Sequence, residues 1–131
     1  MILGTDVSMR ALEKAAAGVY PEQRVSGVPE RFRGFFRKTS SDSYEVVDKI
    51  KRLVLFKRLN LMRGSFPFRG KFHVVFCRNV MIYFDQAKRL ELVSRIYNCL
   101  SPGGFFFIGH SETLGRDSPP FHYVQPTVYR K

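Results

Sequence analysis

Apolar positions in this chain fall into short runs with strand spacing and two stretches with helical spacing, and polar residues gather where the runs stop. Ile2-Leu3-Gly4-Thr5-Asp6 predicts a short strand ending in a carboxylate. Leu12, Ala15, Ala16 and Val19 recur at helical intervals. Ser8 suits the N-cap of that helix and Gly18 its stop. Two prolines and a glycine within residues 21–30 predict a loop. Residues 31–38 are basic and aromatic together, and residues 39–43 are polar and read as exposed. Residues 44–47, 50–54 and 55–61 read as short strand-like segments, with a helical turn over residues 48–53 as the alternative for the second.

Residues 63–71 hold Gly and Pro and predict a loop. Residues 74–77 read as a buried strand that halts at Arg78-Asn79. Asp85 then caps an amphipathic helix with Leu90, Val93, Ile96, Tyr97 and Leu100 on one face. Ser101-Pro102-Gly103-Gly104 predicts a tight turn, and residues 105–109 a second buried strand ending at His110-Ser111-Glu112. Residues 123–129 give a last pair of short strands around Pro126. Strand, helix and strand recur with polar residues at the strand ends. That order predicts an α/β fold, a doubly wound sheet with its ligand crevice at the carboxyl edge.

Composition narrows the class. At 131 residues the chain is one domain at most, 44% hydrophobic, with no apolar run as long as a membrane span. Met1-Ile2-Leu3-Gly4-Thr5-Asp6 lacks the basic-then-apolar order of a secretory leader. Cys77 and Cys99 have no metal-site spacing, so a reduced, cytoplasmic protein without disulfide or zinc is the expectation. The formal charge is +11, and the excess is spread along the chain. Such a balance points to an anionic partner (nucleic acid, a membrane surface or an acidic protein), with solubility alone as the other reading.

Several residues could carry chemistry. Asp6, at a strand end, suits ribose hydroxyls, and reads equally as an Asx turn or helix cap. Asn60-Leu61 follows an apolar segment and also reads as a strand-end turn. Arg78 and Asn79 at the end of an apolar strand need partners to offset their desolvation. Tyr83 reads by itself as packing, and Cys77 as a buried structural thiol with no basic group spaced to activate it. His110, Ser111 and Glu112 are adjacent on an extended chain and point to alternate sides, so they form no acid–base cluster.

The string from Cys77 through Arg78, Asn79 and Tyr83 to Phe84, with Pro102-Gly103-Gly104 and Gly109-His110-Ser111-Glu112-Thr113-Leu114, resembles the CheR family of chemotaxis receptor methyltransferases. The likeness runs from Ile2 to Arg130, with His73 where the family usually has Asp. It implies a Rossmann-like S-adenosylmethionine-dependent methyltransferase sheet with a small inserted antiparallel β-subdomain, here at approximately residues 34–61 including a return strand. It implies methyl transfer to receptor glutamates, releasing S-adenosylhomocysteine. It implies that Asp6, Asn60, Leu61, Arg78 and Asn79 bind the cofactor and that Tyr83 stands at the reaction site. A glutamate carboxylate is already ionised and a sulfonium methyl already activated, so alignment and exclusion of water suffice, without metal. The expected partner is the cytoplasmic domain of chemotaxis receptors, and Lys49, Lys51, Arg52, Lys57 and Arg58 suit an acidic protein. The family's amino-terminal helical domain, glycine-rich cofactor loop and acidic element have no counterpart in these 131 residues. The expectation is a carboxyl-terminal portion with an incomplete sheet, inactive alone and able to self-associate through that sheet. The competing readings are an inactive receptor-interaction domain and a nucleic-acid-binding module built on residues 31–38; the second is disfavoured because no recognised binding motif is present.

Overall fold

A computed structural model describes residues 1–115 and 120–131. The chain divides into two compact units, Met1–Asn60 and Leu61–Lys131.

In the N-terminal unit, β1 (Ile2–Asp6) leads through Ser8 into α1 (Met9–Ala17). The Ser8 hydroxyl accepts the Ala11 N–H at 3.3 Å. Gly18 ends the helix with φ 65°, a conformation that favours glycine, and its N–H donates to Lys14 O at 3.2 Å. Val19 is therefore outside the helix. It opens β2 (Val19–Pro21), because tertiary pairing overrides the helical spacing. The expected loop over residues 21–30 contains a short helix, α2 (Glu22–Ser26), and ends at the start of another, α3 (Glu30–Arg33), each preceded by one of the prolines. Proline tolerates a helix start because its missing N–H would be unpaired there. Then follow β3 (Phe36–Ser40), β4 (Ser43–Val46), α4 (Asp48–Lys51) and β5 (Val54–Arg58). Residues 48–53 thus take the helical alternative.

Strands β2, β4 and β3 form an antiparallel sheet in that order. It draws its third strand from Val19–Pro21, well before residue 34. Glu45 on β4 lies 2.6 Å from Lys51 Nζ and 2.9 Å from Arg37. Hydrogen bonds from Lys51 and then Arg37 hold its carboxyl below the usual range. Separately, β1 and β5 pair in parallel from Ile2↔Val54 to Asp6↔Arg58, so both carboxyl ends reach one edge of the pair.

In the C-terminal unit, β6 (Phe72–Cys77) is followed by a 3₁₀ turn at Met81–Tyr83, α5 (Gln86–Cys99), β7 (Leu100–Ile108), β8 (His122–Gln125) and β9 (Val128–Arg130). The sheet order is β6-β7-β9-β8, with β6 and β7 parallel. Asp85 caps α5 by accepting the Lys88 N–H at 2.9 Å. At the other end of that helix Lys131 Nζ donates to Tyr97 O at 2.7 Å and Leu100 O at 2.9 Å. The residues expected to turn at 101–104 continue as the start of β7, with an irregular register against Phe72 and Val74 and with Gly103 at φ 77°.

The core lies between α5 and one face of this sheet. Leu92, Val93, Ile96 and Leu100 meet Phe106, Ile108, Cys77, Met81 and Tyr129. Leu90, expected on the apolar face, is 62% exposed, while Leu92 is fully buried. At 100° per residue Leu90 points roughly a quarter turn away from that face. The expectation that residues 74–77 form a buried strand holds for one face only. Cys77 is buried, but Val74 and Phe76 are 43% and 68% exposed. Side chains alternate across a strand, and Phe76 belongs to the face away from α5, stacked on Phe107 at 4.7 Å. Among the described residues, β1 and β6 each have a single sheet neighbour. No described helix is long and apolar enough to cross a membrane.

Replacing the fully buried Phe106 with Ala should lower stability by about 3–5 kcal/mol, whereas Leu90→Ala should cost under about 1 kcal/mol. Urea unfolding of the two variants checks this; equal losses would contradict the helix phase described.

Candidate functional site

The sequence-predicted residues fall in two groups, one in each unit. In the N-terminal unit, Asp6 closes β1, and Asn60 lies two residues past the end of its parallel partner β5. Leu59 N–H donates to Asp6 O at 3.0 Å, which keeps the chain beyond β5 beside the end of β1. Asp6 is exposed, and its Oδ1 accepts the Ser8 N–H at 2.8 Å. The Asx turn that the sequence offered beside a ribose contact is therefore formed. Arg58 Nε donates to Val7 O at 3.1 Å and fixes the same loop.

In the C-terminal unit, Leu61 packs against the core cluster. Arg78 and Asn79 follow β6 directly, and both are exposed. Asn79 has φ 58°, a left-handed conformation that asparagine tolerates better than most residues. Tyr83, at the end of the 3₁₀ turn, is 80% exposed. It is not packed as a core aromatic would be.

Glu112, which the sequence left without a chemical role, organises this group. Its Oε1 accepts N–H groups of Val80 at 3.0 Å and Met81 at 2.7 Å. Its Oε2 accepts those of Asn79 at 3.0 Å and Gly109 at 2.6 Å. Three successive amides after β6 and one after β7 thus converge on a single carboxylate. A Cβ on Gly109 would lie 2.7 Å from Glu112 Oε2 and 2.8 Å from Asn79 N, so only glycine fits. The donors from residues 79–81 are 31 to 33 positions away in sequence, and no local pattern could have revealed the contact. Tyr129 OH accepts the Leu114 N–H at 3.0 Å and holds the chain just past Glu112. His110, Thr113, Tyr123 and Thr127 line a shallow cleft beside it.

Partial burial works to raise the Glu112 pKa, but the four amide hydrogen bonds together outweigh it and leave the group below the ordinary carboxylate range. Burial, reinforced by the Glu112 charge, pushes the Cys77 thiol up to about 11. A thiol so held stays protonated and is a poor nucleophile at neutral pH. Among the described residues no group of three or more His, Cys, Asp or Glu side chains is placed to hold a metal ion.

The sequence profile described as CheR methyltransferase, SAM binding domain, matches residues 1–130. The chain belongs to this family. It is 40% identical over 131 residues to the chemotaxis protein methyltransferase of Borreliella burgdorferi, covering 99% of this chain and 46% of that protein. It is 38% identical over 134 residues to a probable chemotaxis protein methyltransferase of Rhizobium etli, covering 98% of this chain and 50% of that one. The chain therefore spans about half the length of the curated relatives it matches. A crystal structure of the glycopeptide N-methyltransferase MtfA with S-adenosyl-L-methionine aligns over 81% of this chain and 33% of its own, with TM-score 0.50 and 16% identity. That likeness bears on the fold alone, and it agrees with the expected methyltransferase class of α/β sheet.

The carboxyl whose folded pKa is depressed stabilises the folded state above the ordinary value of about 4.3, and that contribution disappears as pH falls through the folded pKa. The Glu112-bound amides should accordingly titrate with a midpoint below about 4.3 in an NMR pH series. A midpoint at or above that value would contradict the hydrogen-bond network.

Proposed function

We propose that this chain serves S-adenosylmethionine-dependent methyl transfer to glutamate side chains on the cytoplasmic domain of chemotaxis receptors. The observation that supports the reading most directly is the grouping of polar residues at the carboxyl ends of parallel strands, in a chain whose family is defined by binding this cofactor. The donor sets fit the cofactor's chemistry. Asp6 and Asn60 offer a carboxylate and a carboxamide, which suit ribose hydroxyls and a purine edge. Arg78 offers a guanidinium, which suits the carboxylate of the methionine portion, and Asn79 a carboxamide beside it. Leu61 adds an apolar surface.

When bound, the cofactor supplies an electrophilic methyl group. The protein's part is to hold and orient, since the accepting glutamate is already ionised at neutral pH. Tyr83, exposed on its short 3₁₀ turn, is the side chain we assign to positioning at the reaction site. Residues 34–61 are read as the family's β-subdomain and its return strand, and the basic residues Lys49, Arg52 and Lys57 there face solvent. They suit an acidic receptor surface.

Calorimetric titration with S-adenosylhomocysteine tests the cofactor assignment. Asp6→Asn and Arg78→Ala should each weaken binding about tenfold or more, a change of about 1.4 kcal/mol, without altering the circular dichroism spectrum. Unchanged affinity in both would remove these residues from the site. For the partner, Lys49→Glu/Arg52→Glu should reduce affinity for a purified receptor cytoplasmic domain, and wild-type affinity should fall as salt rises. Binding insensitive to both charge reversal and salt would contradict that assignment.

A further inference from the structure

We propose that Glu112 is a positioning residue for the cofactor site: its carboxylate fixes the turn that presents Arg78 and Asn79, and so sets cofactor affinity. The affinity half of this inference rests on the cofactor reading above, while the structural half stands independently.

The geometry argues for more than a link between two strands. Beyond Cys77 the chain leaves the sheet, and its next two side chains are exposed, so neither packing nor the strand ladder fixes their direction. What fixes it is the convergence of the Asn79, Val80 and Met81 amides on one anion. Successive amides turned to one side form a concavity that favours negative charge, and Glu112 is the anion resident there. It also holds Asn79 in the left-handed conformation, a backbone state with an intrinsic cost for a residue other than glycine. The fourth bond, from Gly109, anchors the same carboxylate to the end of β7. The turn is thereby referenced to the rigid part of the sheet.

Both oxygens are engaged by two amides each. The group has no proton to give at neutral pH and already serves four donors, so it acts through Asn79 and the turn and not on the reacting atoms. A carboxamide could satisfy only one of the two pairs, since its NH₂ would face two N–H donors. Glu112→Gln is therefore the informative variant, equal in size but unable to hold the turn.

In Glu112→Gln, the amide signals of Asn79, Val80, Met81 and Gly109 should move while those of α5 and β9 stay. Affinity for S-adenosylhomocysteine should fall at least tenfold. Ile96→Val, which weakens the core but removes none of the four hydrogen bonds to Glu112, should bind as wild type does; that separates positioning from a general loss of stability. Hydrogen exchange in the wild-type chain keeps the inference testable even if Glu112→Gln fails to fold. The turn amides of residues 79–81 should be protected relative to Gly64 and Gly70, and more so with S-adenosylhomocysteine bound. Wild-type affinity in Glu112→Gln, equal weakening in Ile96→Val, or unprotected turn amides would each overturn the proposal. A wild-type chain that binds no S-adenosylhomocysteine would refute the cofactor reading instead, and the amide shifts of Glu112→Gln would still decide whether the carboxylate fixes the turn.

Discussion

The parallel pairing of β6 with β7 is the constraint on which the C-terminal unit depends. Two adjacent strands can run parallel only if a crossover returns the chain to the starting edge, and α5 is that crossover. Its buried face packs Leu92, Val93 and Ile96 on Phe106 and Ile108, so the hydrophobic term that stabilises the unit also sets the strand direction. Parallel direction brings Arg78-Asn79 and Gly109 to one edge. There a single carboxylate replaces the sheet's own hydrogen bonds for the departing chain. In a parallel sheet the amides just past each strand end lose their ladder partners, and a buried amide without a partner is costly. Glu112 satisfies four of them at once.

The N-terminal unit applies the same rule with a longer connection. Between β1 and β5 the chain makes an excursion through α1 and a three-stranded antiparallel sheet before returning parallel to its start. The return puts Asn60 just past the end of β5, at the edge where Asp6 closes β1. Parallel strands of α/β proteins deliver polar residues to their carboxyl edges, and the family model described as a SAM binding domain is what motivates the cofactor role proposed for these two.

Local signals were legible in the sequence. The Ser8 and Asp85 caps and the Gly18 stop sit where expected, because each depends on hydrogen bonds within a turn of the residue itself. Strands over residues 2–6, 74–77 and 105–109 were also readable from apolar runs, although β6 begins at Phe72 and β7 spans Leu100–Ile108. What was not legible depends on partners distant in sequence. Val19–Pro21 becomes a strand only because β4 offers it hydrogen bonds, and the face of α5 that packs on the sheet takes in Leu92 and leaves Leu90 exposed. Phe76 reads as core by hydrophobicity, yet it lies on the sheet face that α5 does not cover. Glu112 illustrates the limit most clearly. Its adjacency to His110 and Ser111 suggested nothing, while three of its four amide partners lie more than thirty residues earlier.

The central claim is the proposal that residues at these strand ends contact S-adenosylmethionine. The most direct test is a residue-resolved amide NMR map of the wild-type chain titrated with S-adenosylhomocysteine. The account predicts saturable shifts at Asp6, Asn60, Leu61, Arg78 and Asn79. Shifts confined to the basic antiparallel sheet formed by β2, β4 and β3, or a spectrum unchanged at saturating ligand, would contradict it.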